Sequence, residues 1–246
     1  MPLSTQQRTK VKQFSSCTEA TAAVAETYLK KTGWIVEAAV AEFYENPPAR
    51  GGGKSVPAVS PEAASAFFET YAGGEAQIYG EAIATLCTDA GEDPMGDGIL
   101  LLHWVFKADS MGILPRDAFL AGCMEHGVSS AATLKDRFPA IRAEVASSFD
   151  KYYNYVYTLG KEEGQKSVQV PQACALWGLV LKGRFKLLDS WLEFIQETTK
   201  NAISRDTWAQ LLDFAVQVDD DLDKFDENGA WPVLVDEFVD WLKAKK

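Results

Sequence analysis

Apolar side chains recur along this chain at three- and four-residue intervals from about residue 5 almost to the end, the period of one face of an α-helix. In the first fifty residues the pattern predicts three short helices. One runs roughly over 5–15. A second follows Cys17, with Ala20, Val24 and Tyr28 spaced four apart. A third starts near Trp34, with Ile35, Ala39 and Phe43 again four apart, and Gly33 marks the turn before it. From residue 60 onward the pattern predicts helices over about 80–88, 94–107, 115–126, 130–146, 148–159, 170–182, 185–199, 204–218 and 231–245. Ser60-Pro61-Glu62 opens the first of this group, with serine as N-cap and proline at the first helical position. No clean two-residue alternation of useful length occurs, so strands are expected to be few and the fold class all-α. Helix should then cover far more than the roughly one-third usual in globular proteins.

Two prolines and three consecutive glycines in Asn46–Lys54 interrupt this pattern, and such a run cannot propagate a helix. It divides the chain into a three-helix bundle over 4–46, a Gly/Pro linker over 47–59 and a larger multi-helix domain over 60–246. The last two helices are the most legible. Ser204 can cap a helix whose stripe is Trp208, Leu211, Leu212, Ala215 and Val218. The final stripe is Trp231, Leu234, Val235, Phe238, Trp241 and Leu242, which leaves Asp236, Glu237 and Asp240 on the wet face.

Charge changes the picture more than composition does. The net charge is −11; residues 1–54 hold seven Lys/Arg and five Glu, or +2, which leaves −13 for the remainder. An acidic body lacks the basic footprint that nucleic-acid phosphates need and suits a basic protein partner. No apolar run approaches the roughly 18 residues of a membrane helix. The polar, basic start gives no secretory signal, and Pro2 stands where a myristoylation site needs glycine. The expectation is a chain of cytoplasm and nucleus with four reduced thiols and neither a nucleic-acid nor a membrane partner.

Candidate chemistry is thin. There are two histidines, His103 and His126, and Cys123 lies three residues from His126 on one helix. No orienting group for a Cys-His pair is evident, and a small buried thiol accounts for Cys123 equally. Zinc needs about four closely spaced Cys/His ligands, and none are so placed. Calcium is a rival reading, because helix pairs and Asp-rich loops recur. However, an EF-hand loop begun at Asp226 would put Ala230 and Trp231 at positions that need an oxygen ligand and glycine. These read as degenerate EF-hand-like helix pairs without metal. No cofactor and no catalytic residue are expected.

One long ordered set of residues is specific. It runs through Gly164-Gln165-Lys166, Trp177-Gly178-Leu179-Val180-Leu181 and Gly183-Arg184-Phe185-Lys186-Leu187-Leu188-Asp189. It continues through Ile203-Ser204-Arg205-Asp206-Thr207-Trp208 and then from Phe225 to Val239. This set resembles the potentiating-neddylation domain of the defective-in-cullin-neddylation family, strongly over about 164–242 and more weakly over 60–163. The first helices resemble the ubiquitin-associated domain some members carry. The resemblance implies a scaffold-type co-ligase, not an enzyme, that binds the C-terminal winged-helix domain of a cullin and a conjugating enzyme with an acetylated N-terminus. Such a protein promotes transfer of a ubiquitin-like modifier to a cullin lysine by proximity and orientation. A restrainer of the same transfer would keep the same patch, and ubiquitin is a further candidate partner for residues 5–46. The resemblance places cullin binding on Asp206, Ala230 and Asp236. Asp206 would be favoured in a first helical turn by the helix dipole whatever its role. It also places a pocket for the conjugating enzyme's N-terminal Met on Ile83, Ile99, Leu102, Phe106, Met111, Leu114, Leu159 and Leu179, residue types that any helical core contains. On this reading Leu114→Asp should weaken conjugating-enzyme binding selectively. Two departures stand out: Gly80 where the family commonly has an aliphatic residue, and His103 where it has a small one.

Overall fold

The structure, a computed structural model, describes residues 4–18, 20, 22–46, 56–162, 164–199, 201–227 and 229–245. The chain divides into two compact units, Met1–Ser55 and Val56–Lys246. Most of the expected linker, residues 47–55, lies outside the described residues, and 56–60 carry no regular structure.

The first unit contains α1 (Thr5–Thr18), α2 (Ala22–Lys31) and α3 (Val36–Glu45). Its core is small: Phe14, Ala25, Leu29 and Ala39 are fully buried, with Val11 and Tyr28 nearly so. Phe14 stacks on Tyr28 at 6.1 Å and meets Phe43 edge-on at 5.6 Å, so three rings supply much of the buried area. Gly33 and Trp34 are both left-handed, with φ of 64° and 63°. For Trp34 that conformation costs about 1–2 kcal/mol, offset in part by Lys10 Nζ donating to the Trp34 carbonyl at 2.7 Å. This double turn alters one expectation. Ile35 does not join the stripe of α3 but sits at its N-cap, 57% exposed.

The second unit begins with two helix–strand–helix pairs: α4 (Pro61–Ala72), β1 (Gln77–Tyr79), α5 (Gly80–Asp89), and α6 (Gly98–Val105), β2 (Ile113–Pro115), α7 (Arg116–His126). The strands pair antiparallel, Ile78 opposite Leu114, and are the only strands among the described residues apart from one isolated bridge. Ser60 caps α4 by accepting from the Ala63 N–H at 3.2 Å. The α6 and α7 backbones approach so closely at Gly122 that any Cβ there would collide with the Val105 carbonyl. That closeness seats Phe106 on Phe119, with centroids 3.9 Å apart. Further on come α8 (Ala131–Ser147), α9 (Phe149–Leu159), α10 (Val170–Val180), α11 (Leu188–Thr198), α12 (Arg205–Gln217) and α13 (Val233–Lys245). Ser130 and Thr133 form a reciprocal capping box at the start of α8.

Three rings centre this half. Trp177 of α10 and Trp208 of α12 lie parallel at 5.0 Å, and Tyr153 of α9 stacks with Trp208 at 4.9 Å. Their polar atoms are satisfied mutually. Trp177 Nε1 donates to the Tyr153 hydroxyl at 2.9 Å, that hydroxyl donates to the Trp208 carbonyl at 2.8 Å, and Trp208 Nε1 donates to the Tyr153 carbonyl at 3.0 Å. Buried Tyr and Trp are tolerated where each polar tip finds a partner.

A charged corner and an apolar cleft

Asp206 is held by what precedes it. Val168 and Ile203 exchange backbone hydrogen bonds at 3.0 and 2.7 Å, and the buried Tyr157 hydroxyl donates to the Ile203 carbonyl at 3.1 Å. Ser204 then caps α12 through the Thr207 N–H at 3.1 Å. Trp208 fixes the rotation of the helix; Asp206, two residues earlier and about 200° round it, points outward and is exposed.

The start of α13 is held differently. Trp231 stacks on Phe225 at 5.9 Å and meets Phe214 of α12 at 6.0 Å. Gly229 lies so close behind it that a Cβ would come within 2.8 Å of Trp231 Nε1 and 2.9 Å of the Asp226 carbonyl. The exposed Ala230 follows directly. Asp236 is half-buried, between the buried Val235 and Phe238. It lines a shallow hollow with Phe225, Glu227, Asp240 and Lys243. Lys243 is taken by Glu227 at 2.6 Å, which holds that carboxyl below its ordinary value; Asp236 has no ion-pair partner among the described residues. Ala230 and Asp236 thus share one corner through Trp231 and Phe225. Asp206 lies about 12 Å up α12 from Phe214, the residue that touches Trp231 and Phe238. Sequence reasoning missed Val233, an apolar side chain 71% exposed beside Ala230.

The eight apolar positions do not form one cavity wall. Met111, Leu159 and Leu179 line an open cleft of about 540 Å³ together with Ile113, Ala175 and Leu176. Leu102, Phe106 and Leu114 are fully buried and Ile83 is 1% exposed, so these four are core. Ile99 is half-buried against that core. Ile113 and Leu176 were not legible as site residues, because nothing in sequence separates a core-facing from a cleft-facing aliphatic on the same element. Gly160 forms part of the wall because a Cβ there would press to 2.5 Å of a Leu176 methyl.

The two departures, Gly80 and His103, meet at one residue. The Gly112 N–H donates to His103 Nε2 at 2.9 Å, and the Gly112 carbonyl accepts from the Gly80 N–H at 3.2 Å. His103 Nδ1 lies 2.7 Å from the Ile99 carbonyl, which requires the neutral ring protonated on Nδ1. Burial pushes its pKa down, against the opposing bond to Ile99. Gly112 sits between Met111 and Ile113, so these bonds set one edge of the cleft.

Burial pushes the Cys87 thiol up to about 11 and Cys123 up to about 12, so neither supplies a thiolate at neutral pH. No group of three or more His, Cys, Asp or Glu is placed to hold a metal among the described residues. No described helix is long and apolar enough to cross a membrane.

Comparison with known proteins identifies two domain types in the chain. A domain family described as cullin binding matches residues 133–241, and a UBA-like domain matches residues 8–50. These matches define the class: a cullin-binding-type helical domain preceded by a UBA-like unit. Human DCN1-like protein 5 is 30% identical over 183 residues, 74% of this chain and 77% of that protein. Zebrafish (Danio rerio) DCN1-like protein 4 is 31% identical over 182 residues, 73% of this chain and 65% of that protein. Caenorhabditis elegans defective in cullin neddylation protein 1 is 27% identical over an alignment covering 98% of this chain and 91% of that protein. The chain belongs to the DCN1-like, or defective-in-cullin-neddylation, family.

Proposed function

We propose that this chain is a scaffold for cullin neddylation that binds a cullin through the corner at Asp206, Ala230 and Asp236 and carries a conjugating enzyme on the cleft at Met111, Leu159 and Leu179. The observation that carries the reading is Asp236: a half-buried carboxylate without an ion-pair partner among the described residues, beside an exposed Ala230 and Val233. A partly desolvated carboxylate next to apolar surface is suited to a Lys or Arg at the core of an interface, where a charge pair counts for more than at a screened rim. The cleft suits an unbranched thioether such as an N-terminal Met, with Lys161, Glu162 and Gln172 at its rim to hold a peptide backbone. The scaffold would contribute position rather than a nucleophile, in keeping with the raised thiols. For the UBA-like unit, ubiquitin is the proposed partner, with the exposed Ile35 and Tyr44 as apolar anchors.

Calorimetry against the isolated winged-helix domain of a cullin, beside a single-turnover modification assay, tests this. Binding that is lost in Asp236→Lys, with faster transfer in the presence of the wild-type chain, is the expected result. Absence of binding by the wild-type chain to any cullin tested would remove the reading, and slowed transfer would turn the scaffold into a restrainer.

A further inference from the structure

A second cavity, of about 340 Å³, lies apart from both sites, where the ends of α6 and α7 meet α8 and α9. Its size falls within the roughly 300–1,000 Å³ range of small-ligand sites. Trp104 and Tyr155 form one wall, edge-to-face at 5.0 Å, and the Tyr155 hydroxyl is fixed by donating to the Ala108 carbonyl at 2.8 Å. Asp109, Glu125 and Glu144 bring three carboxylates to the lining, and Lys107 brings one cation. With His126 neutral, three negative charges against one positive leave the lining at −2. Lys107 does not neutralise the cavity from within. Its backbone is left-handed, with φ of 50°, and its ammonium pairs with Glu125 where both side chains are about half exposed.

His126 is the second, independent observation. The residue is 5% exposed, and its ring lines the cavity without a hydrogen bond to any described residue, so the cavity is the one place from which its nitrogens can be reached. Burial holds its pKa low; Glu125 and Glu144 pull it up while Arg137 and Lys107 push it down, so one ring nitrogen is an acceptor at neutral pH. The last turns of α6 and α7 both border the cavity, and helix C-termini favour positive charge. Aromatic faces, surplus carboxylates, an idle acceptor and two negative helix ends all select the same ligand chemistry.

We infer that this cavity is a binding site for a compact organic cation, the guanidinium or ammonium of an Arg or Lys side chain or a free amine of that size. This inference is independent of the cullin reading and uses none of its residues.

The test is a titration of the full chain with N-acetyl-argininamide and, separately, n-butylammonium, read by the ring resonances of the chain's two histidines. Saturable movement of the His126 signals, with His103 still, is expected. Movement with the arginine probe alone assigns the site to a guanidinium-bearing chain; movement with both assigns it to organic cations generally. Glu144 is an exposed residue of α8, so Glu144→Gln should leave folding intact and weaken binding about three- to fivefold, the value of one partly screened charge pair. Stillness of His126 with both probes, an equal response to uncharged n-pentanol, or unchanged affinity in Glu144→Gln would each overturn the assignment.

Discussion

Asp236 and Leu179 each lie on a helix of the large unit and each belong to a proposed partner site, yet the two sites differ in how much of their structure is visible in one dimension. An aspartate on the wet side of an apolar stripe is exposed almost by default, so its position in the chain nearly fixes its place on the surface. An aliphatic residue on the apolar side has two destinations, core or cleft, and the stripe is the same for both. All three expected residues of the charged corner do reach the surface or its edge. Of the eight apolar residues, three reach the cleft. The lesson concerns the physics of the residues: charge reports exposure, and apolarity reports only that water is avoided.

The comparison can be broken most sharply at Leu114. Its side chain is fully buried opposite Ile78 in the two-stranded pairing. Leu114→Asp is therefore expected not to weaken one partner selectively but to unfold the large unit, since an unpaired buried charge costs several kcal/mol. Thermal unfolding followed by circular dichroism would reveal this as a loss of cooperative melting; a normal melt would place Leu114 at the cleft after all. Next in size, Asp236→Lys should lower cullin affinity by about 30-fold or more, from roughly 2–5 kcal/mol for a desolvated charge pair. Its unfolding free energy should stay within about 0.5 kcal/mol of wild type. Calorimetry and denaturant titration on one preparation separate the two quantities.

A smaller effect is expected at the cleft itself. Leu179 is half-buried at its wall, so Leu179→Ala should weaken an acetyl-Met peptide about tenfold, one buried aliphatic side chain's worth, and leave cullin binding alone. Fluorescence anisotropy of a labelled peptide reads this, and equal affinity for both forms would move the peptide elsewhere. The smallest effect is in pH. Folding holds the pKa of both His103 and His126 below the ordinary 6.5. The unfolded chain therefore binds more protons once the pH drops under about 6.5, and stability should fall as pH decreases through that value towards the lower folded ones. Above it, these groups contribute no slope. His103→Gln should give a shallower acid slope in melting temperature, and an unchanged slope would mean that folding does not shift the proton affinity of His103.

Much of the fold was legible for the same reason as the charged corner. Helix ends announced by a short polar residue, such as Ser60 and Ser204, fall where the spacing put them. The start of α6 was set at 94 by the apolar pattern and lies at Gly98, because residues 92–97 form a turn in which Glu92 and Asp97 hold Arg142. β1 and β2 went unnoticed; three residues each are too few to show an alternation. The Gly80–Gly112–His103 connection was visible only as two odd residues, since backbone hydrogen bonds between distant turns leave no periodic trace.

The stacked tryptophans of the large unit also determine how this protein interacts with light. Trp177 and Trp208 are parallel within 11° and 5.0 Å apart. Held rigidly in one asymmetric setting, such indoles give a near-ultraviolet dichroism that is lost when the packing around them melts. Six of the seven tryptophans belong to the large unit, and Trp34 alone reports on the small one. Intrinsic emission and near-ultraviolet dichroism are thus an unlabelled gauge of the cullin-binding-type domain, almost blind to the UBA-like unit, and the two halves can be followed apart without attaching a dye.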